Sequence, residues 1–124
     1  MKLRFLAIFV LMILIAGCAV DNSGRLPQAS QPSNPAWVDE LIQKSSTDPV
    51  ANPPLSVWKY EYNGQAVYFV PAHCCDIPST LYDAQGTVIC SPDGGLAGKG
   101  DGKCSDFFDT RTGEQLIWQD TRSQ

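Results

Sequence analysis

The sequence predicts an α+β domain: one N-terminal helix packed on a small antiparallel sheet of about five strands and stapled by disulfides. Three observations predict it. Apolar residues recur at helical spacing from Trp37 to Ile42, and the period then changes to two between Leu55 and Val70. An Asn63-Gly64 pair divides the alternating stretch, the strongest short-range signal for a hairpin. Cys74, Cys75, Cys90 and Cys104 cluster in the second half of the chain, as in small exported domains that lack a large core.

The chain has 124 residues, enough for one domain with appendages. Met1 to Gly17, MKLRFLAIFVLMILIAG, has a basic head and an apolar run shorter than the ~20 residues of a membrane span. It reads as a secretory signal. Ile15-Ala16-Gly17-Cys18 is similar to a bacterial lipobox, so Cys18 is the expected lipidation site, carrying diacylglycerol on sulfur and an acyl group such as palmitate on its amine. Ala19 follows the cysteine where aspartate favours inner-membrane retention; the expected location is the outer membrane, on a lipid anchor, facing periplasm or surface. Residues 18–33 comprise that cysteine and a tether rich in Ser, Pro, Gln and Asn. Such a segment cannot bury enough apolar surface to order itself, and its reach is roughly 20 Å. The globular domain is expected over residues 34–124.

Charge narrows the partners. The full chain stands at -4. Removing the signal takes Lys2 and Arg4 but no acidic residue, leaving seven basic against thirteen acidic side chains, a net -6. That is no footprint for nucleic acid or for an anionic lipid surface. The expected partners are the bilayer, through the acyl anchor, and an unidentified envelope protein or ligand.

Asn34-Pro35 opens the domain, with asparagine as N-cap and proline at the first helical position. The helix is expected over Pro35 to Lys44, with Asp39 and Glu40 early and Lys44 late, as the helix dipole prefers. Its apolar stripe is read as core rather than as a partner face. Pro49, Pro53 and Pro54 then enforce a loop. In the first hairpin, Tyr60, Tyr62 and Tyr68 are read as sheet-stabilising pairs ahead of a ligand platform. A second hairpin joins Thr80-Leu81-Tyr82 to Thr87-Val88-Ile89-Cys90. Ser91 to Lys103 is too glycine-rich for a strand or helix. Ser105 to Asp109 makes a helical turn, and Gln115 to Trp118, after a Thr112-Gly113 turn, forms the last strand.

An exported chain with four cysteines in its domain implies a disulfide framework. A bond between neighbours Cys74 and Cys75 would close a strained ring, so one is expected to join Cys90 and the other Cys104, the assignment open. His73-Cys74-Cys75-Asp76 also offers soft metal ligands, but the spacing matches no zinc ribbon or knuckle. Asp93 to Gly102 invites a calcium reading through Asp93 and Asp101, yet lacks the ligand ladder and terminal glutamate of a calcium loop. A thiol redox role would require a reducible pair. No catalytic motif stands out, and His73 is the only histidine; the domain is expected to be non-enzymatic and to use no cofactor.

VYFVPAHCCD, LYDAQGTVICSPDGG and GKGDGKCSDF, with LIWQD behind them, resemble a family of small bacterial lipoproteins carrying a domain of unknown function. The resemblance spans Trp37 to Arg122. It implies a secreted, lipid-anchored, single-domain protein and brings no activity, ligand or catalytic residue with it. The leading expectation is a binding or interaction module, in an inhibitor or assembly role, that presents its glycine-rich loop and aromatic sheet face. A metal- or calcium-binding module and a thiol redox protein are the alternatives.

Overall fold

The computed structural model describes residues 33–74 and 76–123. The expected signal, the expected lipidation site Cys18 and nearly all of the expected tether lie outside the described residues, as does Cys75. Pro32–Gln124 forms one compact unit. Both hydrophobic cores and the sheet described below lie inside it, so this unit carries what independent folding requires.

Helix α1 spans Ala36–Thr47. Its N-cap is Pro35, without a side-chain cap, and the expected cap Asn34 instead donates to the Asp39 carboxylate at 3.4 Å. The helix outruns its predicted end at Lys44: Asp48 N–H donates to the Lys44 carbonyl at 3.1 Å, and Ser45, Ser46 and Thr47 turn their hydroxyls back onto the carbonyls of Leu41, Ile42 and Lys44. Bonded within the helix, those hydroxyls do not draw its backbone into a competing turn.

Strands β1 (Ser56–Tyr62) and β2 (Gln65–Val70) form the first hairpin. Asn63 and Gly64 have φ of 52° and 73°, the paired positive values of a type I' turn. β3 (Thr80–Asp83) and β4 (Val88–Cys90) form the second. Asp83 closes it by accepting from the backbone N–H groups of Gln85 and Thr87 at 2.9 and 2.8 Å. A single turn of helix, α2 (Phe107–Thr110), precedes β5 (Thr112–Gln119). The sheet is antiparallel in the order β4-β3-β2-β1-β5. β5 starts earlier than expected, because Thr112-Gly113 is no turn. Gly113, at φ 64°, lies where the β1–β5 register shifts between Lys59 and Glu61, so the pair bends as a bulge.

Alternation gives the sheet two faces, and both are covered. On one, Val38 of α1 is fully buried with Val57 and Tyr68, flanked by Trp37, Leu41 and Ile42. The helical stripe is core, as expected. On the other, Tyr60, Tyr62, Val67, Phe69 and Leu81 enclose Phe107, which is 0% exposed. The three tyrosines are buried at 6%, 8% and 4%, and Tyr68 faces away from the other two. An aromatic face open to a partner, one expectation, is therefore corrected: Phe107 seals it.

A disulfide lies in the same core as the seal. Cys90 and Cys104 are bonded to each other, 14 residues apart, and both are 2% exposed. This corrects the expected crosslinks from Cys74 and Cys75 to those two residues. Cys90 points from β4 toward the Phe107 side of the sheet, and Cys104, three residues before Phe107, is the cysteine that reaches the same core. Cys74 is also disulfide-bonded, and its bond goes to neither.

Candidate functional site

A concave feature of the domain lies on the α1 side of the sheet. The last turns of α1 contribute Leu41, Lys44 and Ser45, β2 and β3 contribute Val70, Thr80 and Tyr82, and Pro71, His73 and Pro78 wall it from the connection between those strands. Leu55 and Asp120 close the remaining side, around a cavity of about 400 Å³. Its origin is local. Helix α1 ends at Thr47, and the proline-bearing chain after it carries no further helical turn over this end of the sheet.

The polar groups here are mostly spoken for. Lys44 Nζ lies 3.2 Å from Asp48 Oδ2. The Asp120 side chain, 3% exposed, accepts from Arg122 through both oxygens at 2.9 and 2.7 Å. Those bonds hold the Asp120 carboxyl below the usual carboxylate range, against the opposing effect of burial. The same guanidinium donates to the carbonyls of Ser45 and Asp48, tying the end of α1 to the chain after β5. His73 differs. Its Nδ1 is buried in the wall and has no hydrogen-bond partner, an arrangement that ordinarily costs ~1–3 kcal/mol.

The opposite side carries the glycine-rich loop. Ser79 N–H donates to the Asp93 carbonyl at 3.0 Å, Gly100 N–H to Gly94 at 3.0 Å, and Asp101 N–H to Ser91 at 2.9 Å. Lys103 N–H donates to the Asp101 carboxylate at 3.0 Å, the leading cause of that carboxyl's lowered pKa. Asp93 Oδ1 is buried without a partner. At the tip, Leu96 is 91% exposed. Among the described residues no group of three or more His, Cys, Asp or Glu is placed to hold a metal ion.

The structure thus separates what the sequence had grouped. His73 enters the cavity wall, while Cys74 beside it and Asp76 are exposed. Cys90 and Cys104 are core. The cavity residues Leu41, Val70, Thr80 and Tyr82 carried no motif; Pro71 and Pro78, bounding an irregular crossing beside the sheet, were the available signal.

No curated protein and no solved structure matches the chain. A family model, described as a domain of unknown function (DUF6970), matches residues 43–120. Those residues run from the last turn of α1 to Asp120 and hold the whole sheet, the disulfide and most of the cavity wall. They make up more than half of the chain, which therefore belongs to the DUF6970 family, a domain of unknown function.

Proposed function

We propose that the protein is a non-enzymatic binding module of the cell envelope, held at the outer membrane by a lipid on Cys18, and that it receives its ligand in the cavity between α1, β2 and β3. The cavity carries this reading: apolar walls with a few convergent polar atoms are the usual form of a small-molecule site. Thr80 and Tyr82 bring hydroxyl-bearing side chains to its lining. The anchor rests on the sequence from Met1 to Cys18. Cys18→Ser should stop incorporation of a lipid label, and unchanged labelling would remove the envelope part of the proposal.

The binding reading is tested by an amide NMR fragment screen on the Pro32–Gln124 unit. Hits should shift Ala51, Val70, Ala72 and Thr80 together and be lost in Ala72→Trp, whose indole would occupy the cavity. Hits scattered over other residues, or none, would refute it. A second reading has one observation in its favour: Cys74 is disulfide-bonded yet exposed, and exposed disulfides are the more readily reduced class. A thiol redox role would be supported if mild reductant opened the Cys74 bond while Cys90–Cys104 stayed closed.

A further inference from the structure

Resting on the cavity reading above, we infer that Cys74 is a site of thiol–disulfide exchange whose bond holds the cavity wall, so that a dithiol reductant reshapes the site. Access separates the oxidised cysteines. Cys90 and Cys104 are each 2% exposed, whereas Cys74 is exposed and also disulfide-bonded. Exchange begins when a thiolate attacks a disulfide sulfur, so it requires access to the bond. One thiol of the reductant forms a mixed disulfide, and its second thiol resolves it. Two electrons and two protons pass over: Cys74 and its partner cysteine end as thiols, and the reductant ends as a disulfide.

What the bond holds follows from its place. Cys74 lies in the connection from β2 to β3, residues 71–79, and residues on both sides of it line the cavity: Pro71, Ala72 and His73 before it, Ile77 and Pro78 after. The far end of this connection is fastened separately. Ser79 donates to the Asp93 carbonyl through its N–H at 3.0 Å and its hydroxyl at 3.2 Å, and Pro78 bridges to Gly94. Nearer Cys74 the fastening is local. Ile77 N–H donates to the Cys74 carbonyl at 3.0 Å, closing a turn that begins at the bonded cysteine.

His73 supplies the reason for the wall to move. Its Nδ1 is buried without a hydrogen-bond partner, and water would satisfy it outside the wall. The bond beside it thus restrains a side chain that gains a hydrogen bond on leaving. Opened at Cys74, the turn releases the imidazole to solvent, and one side of the cavity goes with it.

The full chain, isolated without reductant in mild detergent, is equilibrated with graded dithiothreitol, and the thiols formed are alkylated and located by peptide mapping. Cys74 should be labelled at a concentration roughly tenfold below that for Cys90 and Cys104, as an accessible bond is the more readily reduced. Where the first bond alone is open, NMR follows His73, the only histidine. Its imidazole signals should move to those of a water-exposed histidine, and the amides of Val70 and Thr80 should shift. Those of Tyr62 and Phe107, on the other face, should stay in place. Cys74→Ser should give the same spectrum with no reductant.

Labelling of all three cysteines at one concentration, or of Cys74 before reductant is added, overturns both the inference and the thiol redox reading while leaving the cavity as a binding site. Selective labelling with unmoved His73 signals overturns the control of the cavity alone. A Cys74→Ser chain that does not fold would make the bond a structural one, with the same result. Absence of hits in the fragment screen above would remove the binding reading without altering either readout.

Discussion

One sheet carries two coverings built on different principles. Over Val57 and Tyr68 lies α1, a helix that satisfies its own backbone hydrogen bonds and needs only an apolar stripe to dock. Over Tyr60, Tyr62 and Phe69 lies a largely irregular segment, from Ser91 to α2, that arrives through the Cys90–Cys104 bond and positive-φ glycines. Irregular backbone must find hydrogen bonds residue by residue, and this one does so through Ser79, Ser91 and Gly94. The helix covers less than its whole face, and the cavity opens where it stops. The other covering is fastened at both ends and centred on one ring: Phe107 meets Tyr60, Tyr62 and Phe69 at centroid distances of 5.6, 5.4 and 5.5 Å. Arg111 then lies over the Tyr60 ring at 5.0 Å and the Phe107 ring at 5.5 Å.

The comparison breaks if the two coverings contribute equally. Phe107→Ala should cost ~3–5 kcal/mol and Cys104→Ser ~2–5 kcal/mol, whereas Val38→Ala, the matching truncation under α1, should cost less than the ~1.5–3 kcal/mol of burying a whole valine. Urea unfolding of the three variants measures this. A Val38→Ala loss equal to that of Phe107→Ala would mean that helix packing, not the pinned segment, holds the sheet together.

A smaller effect separates two glycines within that segment. Both Gly100 and Gly102 have positive φ, 62° and 76°, so alanine at either incurs the left-handed penalty of ~1–2 kcal/mol. They differ in surroundings. A Cβ on Gly100 would overlap the Ser91 carbonyl oxygen, whereas one on Gly102 would meet nothing within 4 Å. Gly100→Ala should therefore destabilise well beyond Gly102→Ala in the same urea series. Equal losses would show that the segment shifts freely and does not seal the face by its backbone geometry.

The α1 side has its own fastening, and it is sensitive to acid. Arg122 lowers the Asp120 pKa on folding, so in acid the unfolded chain binds a proton that the folded one resists. The stability gained is complete above the ordinary carboxylate range. It is lost as pH falls through the depressed folded value. Asp120→Asn should be less stable near neutrality and show a shallower acid dependence than wild type in melts from pH 7 to pH 2. Parallel curves would assign the acid sensitivity to other carboxylates.

How far the sequence foretold this arrangement also divides by face. The α1 side was legible because periodicity is local: the 37–42 stripe, the Asn63-Gly64 turn and the second hairpin all lie where the residue pattern put them. The other side depends on a contact at long range. Nothing in the spacing of Ser105 to Thr110 distinguishes a surface turn from one whose first phenylalanine fills the core; that follows only once Cys104 is bonded to Cys90. The crosslinks expected from Cys74 and Cys75 failed for the same reason, since distance along the chain does not say which cysteines share a core. His73 was noticed for its neighbours Cys74 and Asp76, yet its position in the cavity wall is set by Pro71, Pro78 and the end of α1, which form no motif.

The smallest expected effect tests whether the pinned segment is a covering or a cation site. Glycine turns with Asp93 and Asp101 look on paper like calcium-binding chain. In the fold, the Asp101 carboxylate accepts from Lys103 N–H at 3.0 Å, and Lys103 Nζ lies 3.8 Å from its other oxygen. The Asp93 carbonyl accepts from both the N–H and the hydroxyl of Ser79. A calcium ion needs about six to eight oxygens; binding here would compete with contacts that order the segment. Millimolar calcium should therefore leave the melting temperature of the Pro32–Gln124 unit unchanged within error. A rise that disappears in Asp101→Asn would reverse the conclusion, because it would make the segment a site that a cation completes, and the glycines would then serve ligand geometry as well as the seal over Phe107.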